Sequence, residues 1–224
     1  MVFLRIGEFV FYPQSVMLPL AGLFFLVVAY RRLHARVAGS RADALIGVLA
    51  AAAAALLGSR LWNGHAAADA VVGGQASLAA YWGAFAGIVL WAVSRGRNAA
   101  GAANAIAPAV MAGGAVARLG CVFAGCCRGI PPLFGPWPFY DIAALLIALG
   151  VGLKLEKRRR HASLQAFLIV YGLLRFALEF ARPMPAAAFG LTAAQLFAAV
   201  QIAAGLALLA ANCAQSPATE NENA

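Results

Sequence analysis

The chain has 224 residues, of which 63% are hydrophobic and 11% charged, with a formal net charge of +9. Soluble domains carry about 25% charged residues. The composition therefore excludes an ordinary soluble fold, and repeated apolar runs of about 18 to 22 residues point to a membrane. The basic balance does not call for nucleic acid. Eleven of the seventeen lysines and arginines fall in three short loops, Arg31–Arg41, Ser94–Asn98 and Lys154–Arg160. Basic short loops mark the cytoplasmic side of a membrane protein and suit contact with anionic lipid.

In chain order, Met1–Phe11 reads as a short external segment. Span one is expected over Tyr12–Tyr30. It lacks a basic stretch directly before it, and Arg31 and Arg32 follow it, so it reads as a retained span and not a cleaved signal. Span two covers Ala42–Trp62, span three Leu78–Val93 and span four Ala99–Leu119. Pro131, Pro132, Pro136 and Pro138 break helix after span four. Span five follows over Phe139–Leu153, span six over Ser163–Ala181 and span seven over Phe189–Ala211. The expected fold is an all-α membrane protein of about seven transmembrane helices. An odd number of spans sets the N-terminus outside, the C-terminus in the cytoplasm and all three basic loops on one side. Residues 1–211 form a single multi-span domain, and the polar stretch 212–224 reads as a disordered cytoplasmic tail. Frequent small residues, such as Gly83-Ala84 and Gly113-Gly114, allow close helix approach in lipid.

With the cytoplasmic charges set aside, Arg5, Arg60, Arg118, Arg128, Arg175 and Arg182 remain. The last five gather near the outer membrane face, with Asp69, Asp141 and Glu179 as the available acids. An arginine inside an apolar span is costly and marks a functional site by default. Arg175 and Glu179 lie four apart and share a helix face. They fit either an ion pair that fixes packing or a phosphate site in which Glu179 orients an arginine. Cations outnumber carboxylates in this set, which favours an anionic ligand. Tyr171, one turn before Arg175, is placed to donate to the same ligand or to pack.

Cys121, Cys126 and Cys127 follow Arg118 at a C-x4-C-C spacing that does not complete a four-ligand zinc site, so neither metal nor cofactor is expected. A disulfide, packing beside Gly120, Gly125 and Gly129, and a thiolate activated by Arg118 and Arg128 all remain open. Among the histidines, only His65 falls on the outer side, as a weak candidate base.

Four segments together resemble bacterial prolipoprotein diacylglyceryl transferase. G-S-R-L-W-N (Gly58–Asn63) is similar to a stretch at the end of an early span of that family. The segment Ile106–Gly129, ending A-R-L-G-C-V-F-A-G-C-C-R-G, resembles the signature G-R-x-G-N-F-x-N-G-E-x-x-G. P-W-P-F-Y-D (Pro136–Asp141) resembles P-x-Q-x-Y-E. Phe167–Pro183 resembles F-x-x-x-Y-G-x-x-R-x-x-x-E-x-x-R. The resemblance implies a seven-span enzyme that moves the diacylglyceryl group of phosphatidylglycerol, an anionic phospholipid, onto a lipoprotein's cysteine thiol. It implies Arg118 and Arg175 as phosphate holders, supported by Glu179 and Tyr171. Beside these, Arg60, Tyr140, Gly120, Gly125, Gly129 and Cys121 are taken as candidate substrate-binding residues, and Cys126 and Cys127 as candidate catalytic ones.

Some positions depart from the family pattern. Trp82, in W-G-A-F-A-G (Trp82–Gly87), stands where the family has a histidine, and an indole cannot take a proton. Cys121, Ala124 and Cys126 stand where the signature has Asn, Asn and Glu, and the loop Ile130–Trp137 leaves no room for a head domain. The expected function is phospholipid-dependent diacylglyceryl transfer to a thiol acceptor in the plasma membrane. A thiol/disulfide protein using Cys126 and Cys127, or a non-catalytic phospholipid-binding paralogue, is the alternative.

Overall fold

A computed structural model describes residues 4–6, 9–11, 13–66, 75–125, 137–159, 161–182 and 184–215. Two short antiparallel strands, β1 (Leu4–Ile6) and β2 (Phe9–Phe11), open the chain, with Arg5 opposite Val10. The rest is helical: α1 (Pro13–Arg36), α2 (Arg41–Ala66), α3 (Gln75–Ser94), α4 (Ala99–Ala124) and α5 (Trp137–Leu155). The next rod joins α6 (Ala162–Gln165), a π-helical segment (Ala166–Tyr171) and α7 (Gly172–Glu179), and α8 (Ala193–Gln215) follows. Among the described residues, seven helices are long and apolar enough to cross a membrane. The all-α, seven-span expectation holds.

The helices run past the expected ends. Helix α2 continues to Ala66 and α4 to Ala124. Helix α8 starts later than expected, at Ala193, and runs to Gln215. Four residues assigned to a disordered tail are thus helical, since Ala214 and Gln215 are good helix formers and no breaker precedes them. The α8 start is set by a reciprocal cap: Gln195 N donates to Thr192 Oγ1 (3.2 Å), and Thr192 N donates to Gln195 Oε1 (2.9 Å). Helix α4 opens on Asn98, whose side chain accepts from Gly101 N, and closes on Gly125 in the left-handed region at φ 66°.

Helix α4 is central and is buried along most of its length. It packs on α1 and α5, while α2 packs on α3. The α2–α3 seam is backbone on backbone: a Cβ at Gly87 would stand 2.6 Å from the Ala50 carbonyl oxygen. This is the close approach that small residues permit in lipid, where dispersion and not water exclusion drives helix association. Tyr81, Phe85, Phe167 and Tyr171 form an aromatic core between α3 and the π-helical rod, with Phe167 and Tyr171 stacked at 5.4 Å. The π-helical turn displaces carbonyls from ordinary bonding, and Gln201 of α8 answers by donating Nε2 to the Phe167 carbonyl at 2.7 Å. Asn104 of α4 likewise accepts from Leu164 N at 3.0 Å. The result is a rigid mount for the residues that follow, Tyr171 to Glu179.

Candidate functional site

Three helices, α4, α5 and α7, deliver charge to one buried cluster, joined by Arg182 just past the end of α7 and by the Ser77 hydroxyl of α3. Arg118 lies six residues before the end of α4, about 9 Å along the axis. Asp141 is on the second turn of α5 and is fully buried. Arg118 Nε stands 2.6 Å from Asp141 Oδ2, and its Nη2 donates to Ser77 Oγ of α3 at 2.6 Å. Tyr171 donates its hydroxyl to Asp141 Oδ1 at 3.2 Å, and Arg175 Nε lies 4.0 Å from the same oxygen. Arg175 Nη1 pairs with Glu179 one turn on, and Arg182 Nη1 reaches both Glu179 oxygens at 3.5 Å.

Beneath these charges lies Trp137, also fully buried. The guanidinium carbons of Arg182, Arg175 and Arg118 sit 4.5, 4.7 and 5.7 Å from the centre of its ring. Its Nε1 donates to the Leu178 carbonyl at 3.2 Å, tying the start of α5 to the end of α7. An aromatic face attracts cations most strongly when both are removed from water. The indole thus relieves the repulsion among three arginines without neutralising any of them. Arg118, Arg175 and Arg182 against Asp141 and Glu179 leave one positive charge in surplus among the described residues. Arg175 is 1% exposed, and its Nη2 has no hydrogen-bond partner among the described residues. A buried, charged donor without an acceptor is costly unless an anion meets it.

The structure brings together Arg118, Arg175, Tyr171 and Glu179, as the sequence suggested. The (i, i+4) pair is real, but Tyr171 is spent on Asp141. Cys121 is half-buried one turn beyond Arg118, and Gly120 is buried between them in sequence. Gly125 serves as the α4 cap, and Tyr140 is half-buried next to Asp141 in the chain. Arg60 is exposed near the end of α2 and takes no part in the ion pairs described here. Cys126, Cys127, Arg128 and Gly129 lie outside the described residues, as does the His65 side chain. Trp82 is partly buried, and its Nε1 is enclosed with no hydrogen-bond partner among the described residues.

Sequence reasoning named Asp141 only as one of several nearby acids and passed over Trp137 and Ser77. Two signals were available. Trp137 and Asp141 are four apart at a helix start, and Asp141 falls where the resembled P-x-Q-x-Y-E segment has its carboxylate.

A bundle of seven membrane-spanning helices with a cation-rich ion-pair cluster buried within it defines a multi-pass membrane protein. The family model described as prolipoprotein diacylglyceryl transferase matches residues 1–211, and the chain belongs to that family. It is therefore a multi-pass transferase of the lipoprotein-biosynthesis type. A search of curated proteins finds no match.

Proposed function

We propose that the protein uses phosphatidylglycerol as donor and a lipoprotein precursor's thiol as acceptor, in the plasma membrane of a bacterium, with its N-terminus outside. One observation carries this reading: three buried arginines face two buried carboxylates, and Arg175 Nη2 lacks an acceptor among the described residues. The surplus charge matches a phosphodiester, which carries one negative charge.

In the transfer, the acceptor sulfur forms a bond to the glycerol carbon that bears the phosphate. The bond from that carbon to oxygen breaks, and glycerol phosphate leaves with the electron pair. Negative charge grows on the departing phosphate oxygen, where Arg118 and Arg175 stabilise it. Asp141 and Glu179 hold the two guanidiniums, and Trp137 lets them crowd. The thiol proton passes to water, because Trp82 stands where a histidine would take it. Turnover is then expected to rise with pH toward the ordinary thiol pKa of about 8.5.

The test is purified protein with labelled phosphatidylglycerol and a cysteine peptide, scored for released glycerol phosphate. Release is expected and should fall by about 100-fold or more in Arg118→Gln. Binding of phosphatidylglycerol without release would establish instead a non-catalytic phospholipid-binding paralogue, the reading that Trp82 favours. Absence of both binding and release would overturn the phosphate site itself.

A further inference from the structure

Between α7 and α8 the chain makes a tight hairpin unlike any other connection between the described helices. Ala188 and Leu191 pair across it, with Leu191 N donating to the Ala188 carbonyl at 2.9 Å and Ala187 N donating to the Leu191 carbonyl at 2.8 Å. The two residues at its tip, Phe189 and Gly190, have φ of 53° and 72°. Two successive positive φ values are the pattern of a type I′ turn, which asks for Asn, Asp or Gly at both positions. Glycine fills the second. The first is an aromatic residue, for which the left-handed region is strained.

Nothing in the fold compensates for that strain, because Phe189 is 96% exposed. It is the most exposed of the large apolar residues described. The neighbourhood is apolar too. From Pro185 to Leu191 the chain reads P-A-A-A-F-G-L, without a charged or hydrogen-bonding side chain. Residues 185 to 190 are all exposed. A loop facing water would be expected to carry polar residues and Asn or Asp at the strained position. This one joins two spans, Ala162–Glu179 and Ala193–Ala214, so its tip lies at the membrane boundary.

We infer that the 185–191 hairpin is a membrane-interface anchor, with Phe189 inserted between the lipid headgroups and acyl chains of the adjoining leaflet. Apolar side chains such as phenylalanine on interfacial segments bury themselves at the headgroup–acyl boundary. The reciprocal Thr192–Gln195 cap begins one residue after the hairpin and fixes its angle to α8. On the other side, Arg182 stacks on Trp137 and ties the hairpin's approach to the charge cluster. The anchor therefore sets the depth of that cluster relative to the lipid headgroups. The inference does not depend on the transfer reaction, and its test needs no turnover.

A photo-crosslinking benzoylphenylalanine is placed at position 189 in the full chain, in vesicles of phosphatidylethanolamine and phosphatidylglycerol with radiolabelled acyl chains. Position 206, where Leu206 is 52% exposed on α8, serves as the lipid-facing control. Position 157, an exposed lysine in a basic loop, serves as the aqueous control. Acyl label at 189 comparable to that at 206 is expected. Label at 189 no greater than at 157, with 206 labelled, would overturn the anchor. Phe189→Gly supplies an independent check, because it removes the strained side chain. Its midpoint of unfolding in detergent should be unchanged or raised, and a drop would mean that Phe189 packs against protein instead.

Discussion

The two ends of the bundle hold charge clusters of similar make-up and opposite meaning. At the basic-loop end, Glu156 pairs with Arg32 and with Arg36 (3.0 Å), and Ser163 donates to it at 2.6 Å. Asp43 there faces Arg95 at 3.7 Å and Arg97 at 3.4 Å. Each carboxylate has two arginines, so this end also carries surplus positive charge. Yet Arg36, Arg95 and Arg97 have side chains 39 to 48% exposed. Water and counter-ions absorb the excess. At the other end the arginines are buried on Trp137, and water cannot do the same. A ratio of cations to anions therefore says little until burial is known, and it is burial that makes one of the two clusters the candidate ligand site.

That contrast can be broken most sharply at Asp141. Asp141→Asn removes the buried negative charge that faces Arg118 and Arg175, and removing one member of a buried ion pair costs about 3–5 kcal/mol. Thermal unfolding in detergent should show a large loss. The matching change at the other end, Asp43→Asn, should cost about 1 kcal/mol or less. Equal losses would erase the distinction.

A comparable but more pointed effect is expected at Trp137. Trp137→Ala opens a large cavity and removes the cation platform, with a loss of about 3–5 kcal/mol. Trp137→Phe keeps an aromatic face and forfeits the bond to Leu178, so about 1–2 kcal/mol is expected. The Phe variant should also retain phosphatidylglycerol binding, measured by retained lipid after purification. If Phe behaves as Ala does, the indole acts by volume and not by its attraction for guanidinium.

The smallest effect lies at Glu156. Burial opposes its ionisation, but the hydrogen bonds from Arg36 and Ser163 and the charge of Arg32 outweigh that, holding the carboxyl below its ordinary value of 4.5. A carboxyl depressed by folding contributes stability above its unfolded pKa and loses it as pH falls through the folded one. Glu156→Gln should therefore lower stability by about 1 kcal/mol at neutral pH, with the gap to wild type closing in acid below about pH 4. A gap that persists in acid would assign the effect to packing.

The spans were legible in the sequence because twenty-residue apolar runs between charged loops have few other meanings. Their ends were less so: Asn212–Gln215 continue a helix that polarity alone seemed to stop. The Arg175–Glu179 pair was legible because helical spacing fixes it locally. The pairing of Arg118 with Asp141 was not, since it spans two helices and depends on how α4 meets α5. Trp137 was hidden for a different reason, because nothing in an aromatic residue's identity announces that three cations will stack on it. The π-helical turn left no signal either, for its carbonyl is satisfied by Gln201, thirty-four residues later.

The bond from Trp137 to the Leu178 carbonyl has a consequence for how the chain enters the bilayer during synthesis. The rod Ala162–Glu179 is the least apolar of the seven spans and carries both Arg175 and Glu179. Both charges sit in the last turns of that span, so alone in lipid each would cost less than a charge at a helix centre, which costs about 2.5–3.5 kcal/mol, but would still oppose insertion. By the time this rod emerges, α4 and α5 have already delivered Arg118, Asp141 and Trp137 to the same depth. Chain order thus supplies the receptor before the guest, and the sixth span partitions into lipid more readily beside its predecessors than alone.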